Sequence, residues 1–297
     1  MTAIEKLKIL LTGGGTGGHI KPLILVVKKL KETAKAENAE NFEINLKYIG
    51  PKNDFTDLLK KEMAVDIIFS AKLRRYFSIY NLIDALKFLI AVCQSLWKIF
   101  WFKPNVVFSK GGTGSLPVLL ACRFYSIPIV IHESDSTPSL TNKIAARWAK
   151  TVCLGFESAR PYFEKITKAE IHVTGNPVEE ELLKLINQKK ARQNFNLDPD
   201  KKTILIMGGS QGSQRMNEFI WQNLDKLLEK YQIIHQVGKG NYENFELREN
   251  YYFTDYFKNN LAEAYGAADI VVCRAGAQTI FELAALGKPA ILIPLVD

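Results

Sequence analysis

Two glycine-rich segments hold most of the chemistry that this sequence offers. The first, Gly13-Gly-Gly-Thr-Gly-Gly18, follows the apolar run Ile9-Leu-Leu-Thr12 and ends against His19. The second, Gly208-Gly-Ser-Gln-Gly212, follows Thr203-Ile-Leu-Ile-Met207 and is extended by Ser213. Glycine lets a ligand approach the backbone closely, and free amides at a helix N-terminus favour negative charge. A diphosphate could accept hydrogen bonds from those amides and from the Ser210 and Ser213 hydroxyls. A histidine at the mouth of such a loop can serve as a general base, because its ordinary pKa lies near neutrality. Lone histidines are more often structural. Standing directly after six residues of glycine and threonine, His19 reads as catalytic.

Gly13, Gly15 and Gly18 also satisfy GxGxxG spacing, but a dinucleotide enzyme would place an acid at the end of its second strand. That strand ends Lys47-Tyr-Ile-Gly50, without one, and no GK[ST] follows the glycines. A tight turn explains the first loop about as well. Other polar groups stand where strands should end: Lys110-Gly-Gly-Thr-Gly114, Ile131-His-Glu-Ser-Asp135 and Arg274-Ala-Gly276. Glu282, one turn past Gln278, could accept from both hydroxyls of a ribose; taken alone it reads as a solvated helix residue.

These groups need elements to hold them. Short β-branched runs alternate with helical patterns, the signature of an α/β protein with parallel sheets. Strands are predicted at residues 9–12, 42–49, 65–69, 106–109, 129–132 and 152–154, then at 203–207, 232–235, 251–253, 270–273 and 290–293. The first helix is expected to hold Pro22 in its opening turn, and residues 31–41 to be loop or frayed helix. The strand–glycine loop–helix pattern restarts after the turn Thr174-Gly-Asn-Pro177 and the charged stretch 179–200. The expected domains are therefore 1–177 and 178–297, with ligands bound in a cleft between two doubly wound sheets. Because the last strand leads into no covering helix, a further C-terminal segment is expected.

The 297 residues exceed a comfortable single core, and 47% hydrophobic with 24% charged residues describe a globular protein. A net charge of +8 suits an acidic partner. The basic residues are interleaved with acids, which argues against nucleic acid. Cys93, Cys122, Cys153 and Cys273 form no CxxC pair, so zinc is unsupported and buried reduced thiols in a cytosolic protein are expected. The apolar run before the first glycines is too short for a signal peptide. Residues 79–102 form a long apolar stretch interrupted by Asp84, Lys87, Gln94 and Lys98, behind the basic cluster holding Arg74 and Arg75. Leu82, Leu86, Leu89, Ile90 and Cys93 recur at helical spacing, so an amphipathic helix is expected, packed in the core or lying against lipid, but not spanning it.

Seven segments, in order, resemble the MurG family of peptidoglycan glycosyltransferases, in glycosyltransferase family 28. They are Gly14-Gly-Thr-Gly-Gly-His19, Lys110-Gly-Gly112, His132-Glu133 with Leu140-Thr-Asn142, Val173-Thr-Gly-Asn-Pro177, Gly208-Gly-Ser-Gln-Gly212, His235-Gln236 with Gly238-Lys-Gly240, and Cys273-Arg-Ala-Gly276 with Thr279 and Glu282. The resemblance implies the GT-B fold of two Rossmann-like domains facing a cleft. It also implies inverting transfer of GlcNAc from UDP-GlcNAc to the MurNAc 4-hydroxyl of undecaprenyl-pyrophosphoryl-MurNAc-pentapeptide, with no cofactor and no metal.

Carried over by position, Ser210, Gln211 and Gly212 would contact the donor diphosphate, Arg274 would lie near the nucleotide and Glu282 would hold the ribose. Thr16, Gly17, Gly18 and Asn142 would complete UDP-GlcNAc binding. Gly14, Gly15, Gly111 and Gly112 would receive the diphosphate of the acceptor. His19 and Glu133 are the candidate bases, with His19 preferred. Arg74, Arg75, Leu82, Leu86 and Leu89 would meet an anionic membrane from the cytoplasmic face, making the protein peripheral. The chain departs from the family pattern at Thr113, Asp135 and Glu179, where tyrosine, asparagine and arginine are frequent. The family's HQxxNA segment, which contacts the donor sugar, would fall beyond Asp297, so a form ending there is expected to bind UDP while discriminating sugars poorly, or not to fold fully. Competing readings are another GT-B transferase with a different lipid acceptor, a UDP-GlcNAc 2-epimerase, and a UDP-sugar-binding subunit without activity.

Overall fold

The computed structural model describes residues 5–14, 17–36, 42–70, 80–184, 186–209, 211–241, 248–257 and 259–294, with 5, 17, 42 and 80–82 described by backbone alone. The chain divides into two compact units, Met1–Pro177 and Val178–Asp297. The first runs β1 (Glu5–Thr12), α1 (Gly17–Ala36), β2 (Phe42–Pro51), α2 (Thr56–Glu62), β3 (Ala64–Ile68), α3 (Tyr80–Phe102), β4 (Val106–Ser109), α4 (Leu116–Phe124), β5 (Ile129–Glu133), α5 (Leu140–Ala146), β6 (Thr151–Leu154), α6 (Arg160–Glu164) and β7 (Glu170–Val173). The second runs α7 (Gln188–Asn194), β8 (Thr203–Met207), α8 (Gln214–Gln222), α9 (Leu224–Lys230), β9 (Gln232–Gln236), β10 (Tyr251–Thr254), α10 (Leu261–Ala267), β11 (Ile270–Arg274), α11 (Ala277–Leu286) and β12 (Ala290–Ile293).

Each unit is built on one parallel sheet, ordered β3-β2-β1-β4-β5-β6-β7 in the first and β10-β9-β8-β11-β12 in the second. Alternation along the strands explains the layering. On β1, Leu10 packs into one apolar layer while Ile9 and Leu11 pack into the other. On β8, Leu205 and Ile206 divide in the same way. Strands buried on both faces must read as continuous apolar runs, which is why they stand out in the sequence. Strand order reverses between β1 and β4 and between β8 and β11. The loops after those strands diverge, and such switch points are where open α/β sheets take their ligands.

Several expectations are corrected. Strand β7 was not predicted: it is an edge strand whose Glu170, His172 and Val173 are exposed, so it lacks the buried apolar run. Helix α1 begins at Gly17, which places Pro22 beyond the opening turn, and it runs on to Ala36, so the helical alternative holds for residues 31–36. Half-buried Leu30 and a Lys31–Glu62 ion pair at 2.9 Å tie that end to the domain. Within the charged stretch 179–200, residues 188–194 form α7. Buried Arg192 there reaches the Asp269 carboxylate at 2.7 Å and the Ala267 and Pro199 carbonyls at 3.2 and 2.9 Å, fixing α7 to the sheet. Of the cysteines, all free, Cys122 and Cys273 are buried, Cys153 is partly buried and Cys93 is exposed.

Helix α3 forms as expected, with Leu86 and Leu89 outward. Its inward face is Ala91, Ser95, Ile99 and Phe102, not the leucine stripe. Small Ala91 and Ser95 let the backbone approach its neighbours, and Lys98 pairs with Asp66 of β3 at 3.4 Å. Leu86 and Leu89 are each 60% exposed, and Trp97 and Trp101 are 66% and 65% exposed with their rings edge-on to one another.

Candidate active site

In the first unit, the loops after β1 and β4 close on one another. The Gly14 N–H donates to the Gly111 carbonyl at 2.6 Å, and the Lys110 N–H to the Thr12 carbonyl at 3.0 Å. A Cβ on Gly14 would stand 2.7 Å from Gly112 Cα, so only glycine permits this backbone contact. His19, in the first turn of α1, is fixed across the seam, its Nδ1 3.0 Å from the Lys110 carbonyl oxygen. A carbonyl can only accept, so Nδ1 carries the proton and Nε2 keeps its lone pair. Burial holds His19 below the usual histidine pKa. The Lys110 ammonium adds to that effect, while the carbonyl bond, Glu133 and Asp135 oppose it.

The end of β5 supplies the next layer. His132 Nε2–H donates to the Gly175 carbonyl at 2.9 Å, leaving Nδ1 to accept from Lys110 Nζ at 2.7 Å. The Glu133 carboxylate accepts from the Asp135 N–H at 3.1 Å, the Ser139 N–H at 2.9 Å and Asn142 Nδ2 at 2.9 Å. It thereby organises the turn into α5, whose N-cap is Ser139. Asn142 Nδ2 also donates to the His132 carbonyl at 3.2 Å. Its buried Oδ1, without a partner among the described residues, faces Gly111, where a Cβ would come within 2.7 Å.

The second unit repeats the device. Gly212 at φ +77 and Gly238 at φ +90 bring the loops after β8 and β9 into contact. A Cβ on Gly212 would land on the Val237 carbonyl oxygen and 2.8 Å from Asn241 Nδ2. Gln236 Nε2 donates to the Gly209 carbonyl at 2.9 Å, and Asn241 Nδ2 to the Val237 carbonyl at 3.1 Å. The loop so held leads into α8, with Ser213 as the residue before its first turn. Beneath it, Asn217 Nδ2 donates to the Val237 carbonyl at 2.8 Å, which leaves Asn217 Oδ1 to accept from His235 Nε2–H at 3.1 Å. The Tyr251 hydroxyl donates to His235 Nδ1 at 2.9 Å.

On the neighbouring strand end, Arg274 closes β11, half-buried and with no side-chain ion pair or hydrogen bond among the described residues. Glu282, on α11, accepts from Tyr265 Oη at 2.9 Å and from Gln278 Nε2 at 3.2 Å. Burial, then the Glu282 carboxylate, pushes the Tyr265 phenol far above its usual pKa, so it stays a donor.

The structure thus gathers Gly14, Gly18, His19, Gly111, Gly112, Glu133 and Asn142 at the carboxyl ends of the first sheet, with Gly17 opening α1. It sets Gln211 and Gly212 against the loop after β9, while Arg274 ends β11 on the other side of β8 and Glu282 follows on α11. Gly15, Thr16, Arg74, Arg75 and Ser210 lie outside the described residues, as does the Leu82 side chain. Leu86 and Leu89 stand apart from the cluster, on α3. Sequence reading missed Tyr265, 17 residues from the carboxylate that it holds, and the ammonium of Lys110, which had drawn notice only as part of a glycine motif. Neither carries a local signal.

Two buried histidines predict an acid response. Burial first, and then Lys110, holds His132 down to about 4, and burial does the same for His235, against an ordinary value of 6.5. Both are neutral in the fold and titrate normally once unfolded. The stability they confer is complete above about pH 6.5 and is lost as the pH falls toward 4. Thermal unfolding near pH 5 is expected at a lower temperature than at pH 7, with uptake of about two protons by calorimetry in buffers of different ionisation enthalpy. Equal melting temperatures without uptake would contradict this assignment.

Comparison with known proteins places this geometry. Residues 9–154 match the glycosyltransferase family 28 N-terminal domain, and residues 203–297 match the family 28 C-terminal domain. The UDP-N-acetylglucosamine–N-acetylmuramyl-(pentapeptide) pyrophosphoryl-undecaprenol N-acetylglucosamine transferase of Clostridium perfringens is 42% identical over 295 residues, covering 98% of this chain and 79% of that protein. The enzyme of the same name from Legionella pneumophila is 37% identical over 294 residues, covering 97% and 77%. Among solved structures, Acinetobacter baumannii MurG superposes with a TM-score of 0.67 at 26% identity, covering 97% of this chain and 79% of that one. A UDP-GlcNAc 2-epimerase from Neisseria meningitidis shares the fold alone, with a TM-score of 0.65 at 16% identity, covering 96% and 82%. Two family domains in the expected order, and near-full-length identity to these transferases, have one reading: the chain is a GT-B protein and belongs to the MurG family of glycosyltransferase family 28.

Proposed function

We propose that this chain transfers GlcNAc from UDP-GlcNAc to the MurNAc 4-hydroxyl of undecaprenyl-pyrophosphoryl-MurNAc-pentapeptide, with inversion, in peptidoglycan synthesis. The observation that carries the reading is the 42% identity to transferases of that name along 98% of the chain. The second unit binds the donor, with Gln211, Gly212 and Ser210 at its diphosphate, Arg274 near the nucleotide and Glu282 at the ribose. Thr16, Gly17, Gly18 and Asn142 contribute from the first unit, where Gly14, Gly15, Gly111 and Gly112 receive the acceptor diphosphate.

His19 is the base. Its Nε2 lone pair takes the proton of the acceptor hydroxyl as that oxygen attacks the anomeric carbon, while the sugar–phosphate bond breaks toward UDP on the opposite face. Glu133 is the weaker candidate, because three hydrogen bonds already commit its carboxylate to the turn before α5. Charge growing on the leaving diphosphate meets the amides at the start of α8 and the positive end of that helix. The reading includes no resident metal and no other cofactor. Incubation with UDP-GlcNAc and the lipid-linked acceptor should release UDP and glycosylated lipid in equal amounts. Conversion of UDP-GlcNAc to its 2-epimer without acceptor would sink the reading.

The outward face of α3 is the proposed membrane seat, on the cytoplasmic side. Residues Ile83–Phe102 are long and apolar enough to cross a bilayer by length and composition, with mean hydropathy 1.4. One face, however, is packed through Ala91, Ser95, Ile99 and Phe102, so a peripheral position with Trp97, Phe100 and Trp101 among the headgroups fits better. Lys and Arg outnumber Asp and Glu by 39 to 31, which favours an anionic surface. Replacing both Trp97 and Trp101 by serine is expected to weaken sedimentation with anionic vesicles at least about tenfold while leaving the melting temperature unchanged. Unaltered vesicle binding would remove α3 from the membrane contact.

A further inference from the structure

Lys110 is 1% exposed, at the point where β4 passes into the Gly111–Gly112 loop. Burying an ammonium is costly unless its charge does something that an apolar side chain cannot. Here it makes no ion pair among the described residues. Its Nζ donates instead to two neutral acceptors, His132 Nδ1 at 2.7 Å and Ser134 Oγ at 2.7 Å. The same residue's carbonyl holds His19 Nδ1 at 3.0 Å. One residue therefore grips the base by its backbone and places a positive charge in the same buried layer by its side chain.

We propose that Lys110 is a positioning residue for the transfer: its carbonyl fixes the His19 tautomer that accepts a proton at Nε2, and its ammonium, anchored on His132 and Ser134, holds a positive charge in the same buried layer. The inference deepens the reading of His19 as base and rests on it. The charged groups that bear on His19 are Lys110 from the end of β4 and Glu133 and Asp135 from the end of β5. Burial is the largest influence keeping the imidazole neutral; the two carboxylates would draw a proton onto it, and the Lys110 ammonium works against them. Burial holds Lys110 itself down to about 8, against Glu133, Asp135 and the Cys153 thiol. At neutral pH it is still cationic, and its influence fades as the pH rises through that value.

Neutral His132 is part of the device. Its Nε2–H is committed to Gly175, which leaves Nδ1 as an acceptor that tolerates an ammonium at 2.7 Å without competing for charge. A protonated His132 would repel Lys110 and open the layer.

The test is an NMR titration of the His19 imidazole in the full chain, alongside the pH profile of kcat/KM. In Lys110→Met the His19 midpoint and the acid limb of the profile should both move to higher pH. The activity loss should then be severalfold near about pH 6 and small near about pH 8, whereas a merely structural role lowers activity at every pH. Lys110→Arg, which keeps the charge, should leave the midpoint close to that of the wild type. If Lys110→Met does not fold, the wild-type chain carries the test: with labelled lysine and histidine, one ammonium should titrate near about 8 and the His19 signal should shift in the same step. An unmoved His19 midpoint in Lys110→Met, or no coupled step in the wild type, overturns the role of Lys110 and leaves His19 as base. Full activity in His19→Ala would instead overturn the base, whatever the titrations show.

Discussion

Replacing His19 by alanine should lower kcat by about 10²- to 10⁴-fold, the range for loss of a positioned general base, with UDP-GlcNAc affinity changed by less than about twofold. The expectation follows from how the ring is held. Its Nδ1–H is committed to the Lys110 carbonyl, so the imidazole has one tautomer and one available lone pair. Burial lowers its pKa and keeps it unprotonated at neutral pH. Equivalent truncation of Glu133 has a different signature. Three donors, the Asp135 and Ser139 amides and Asn142 Nδ2, would lose their acceptor together, so Glu133→Ala should cost stability as well as rate. Glu133→Gln should recover much of that stability, because a carboxamide oxygen still accepts. Isothermal titration with UDP-GlcNAc and single-turnover rates separate these outcomes. A normal rate in His19→Ala, with Glu133→Gln inactive but fully stable, would move the base to Glu133.

The second large effect is expected at Gly212. With φ at +77 and the Val237 carbonyl where a Cβ would go, Gly212→Ala must both strain the backbone and part the loops after β8 and β9. The strain alone costs about 1–3 kcal/mol, and losing the loop contact adds to it. Denaturant unfolding should show the second unit destabilised by at least about 3 kcal/mol, with UDP binding weakened beyond detection in what remains folded. Gly209→Ala is the matched control. Its φ is +89, but a Cβ there meets nothing within 4 Å among the described residues, so only the conformational cost applies. Equal effects at the two positions would mean that close approach of the loops is not what requires glycine at 212.

Much of the architecture was legible because the parallel strands are buried on both faces. Ile9–Thr12 and Thr203–Met207 advertise themselves as apolar runs that stop at glycines, and each stops at a switch point of its sheet. β7 was illegible for the converse reason, since an edge strand with exposed Glu170 and His172 carries no such run. The leucine face of α3 was legible, and Leu86 and Leu89 stand outward as the membrane reading expected. Its inward face was not, because small Ala91 and Ser95 carry no strong apolar signal. The site was legible as residue types and not as contacts. Lys110 lies 22 residues from His132, and His132 lies 43 from Gly175, so no local pattern reveals the network that fixes both imidazoles. Glu282 read alone as a solvated helix residue. Only the packing of α10 against the sheet brings Tyr265 to it.

These features meet in one reaction, and its product is the most direct measure of it. The chain is incubated with UDP-GlcNAc labelled in the sugar and with undecaprenyl-pyrophosphoryl-MurNAc-pentapeptide, and the lipid fraction and nucleotide are analysed together. The predicted result is a β-linked GlcNAc on the MurNAc 4-hydroxyl, formed in step with UDP and lost in His19→Ala. Label confined to free sugar or to an epimerised nucleotide, with no glycosylated lipid, would contradict the assignment.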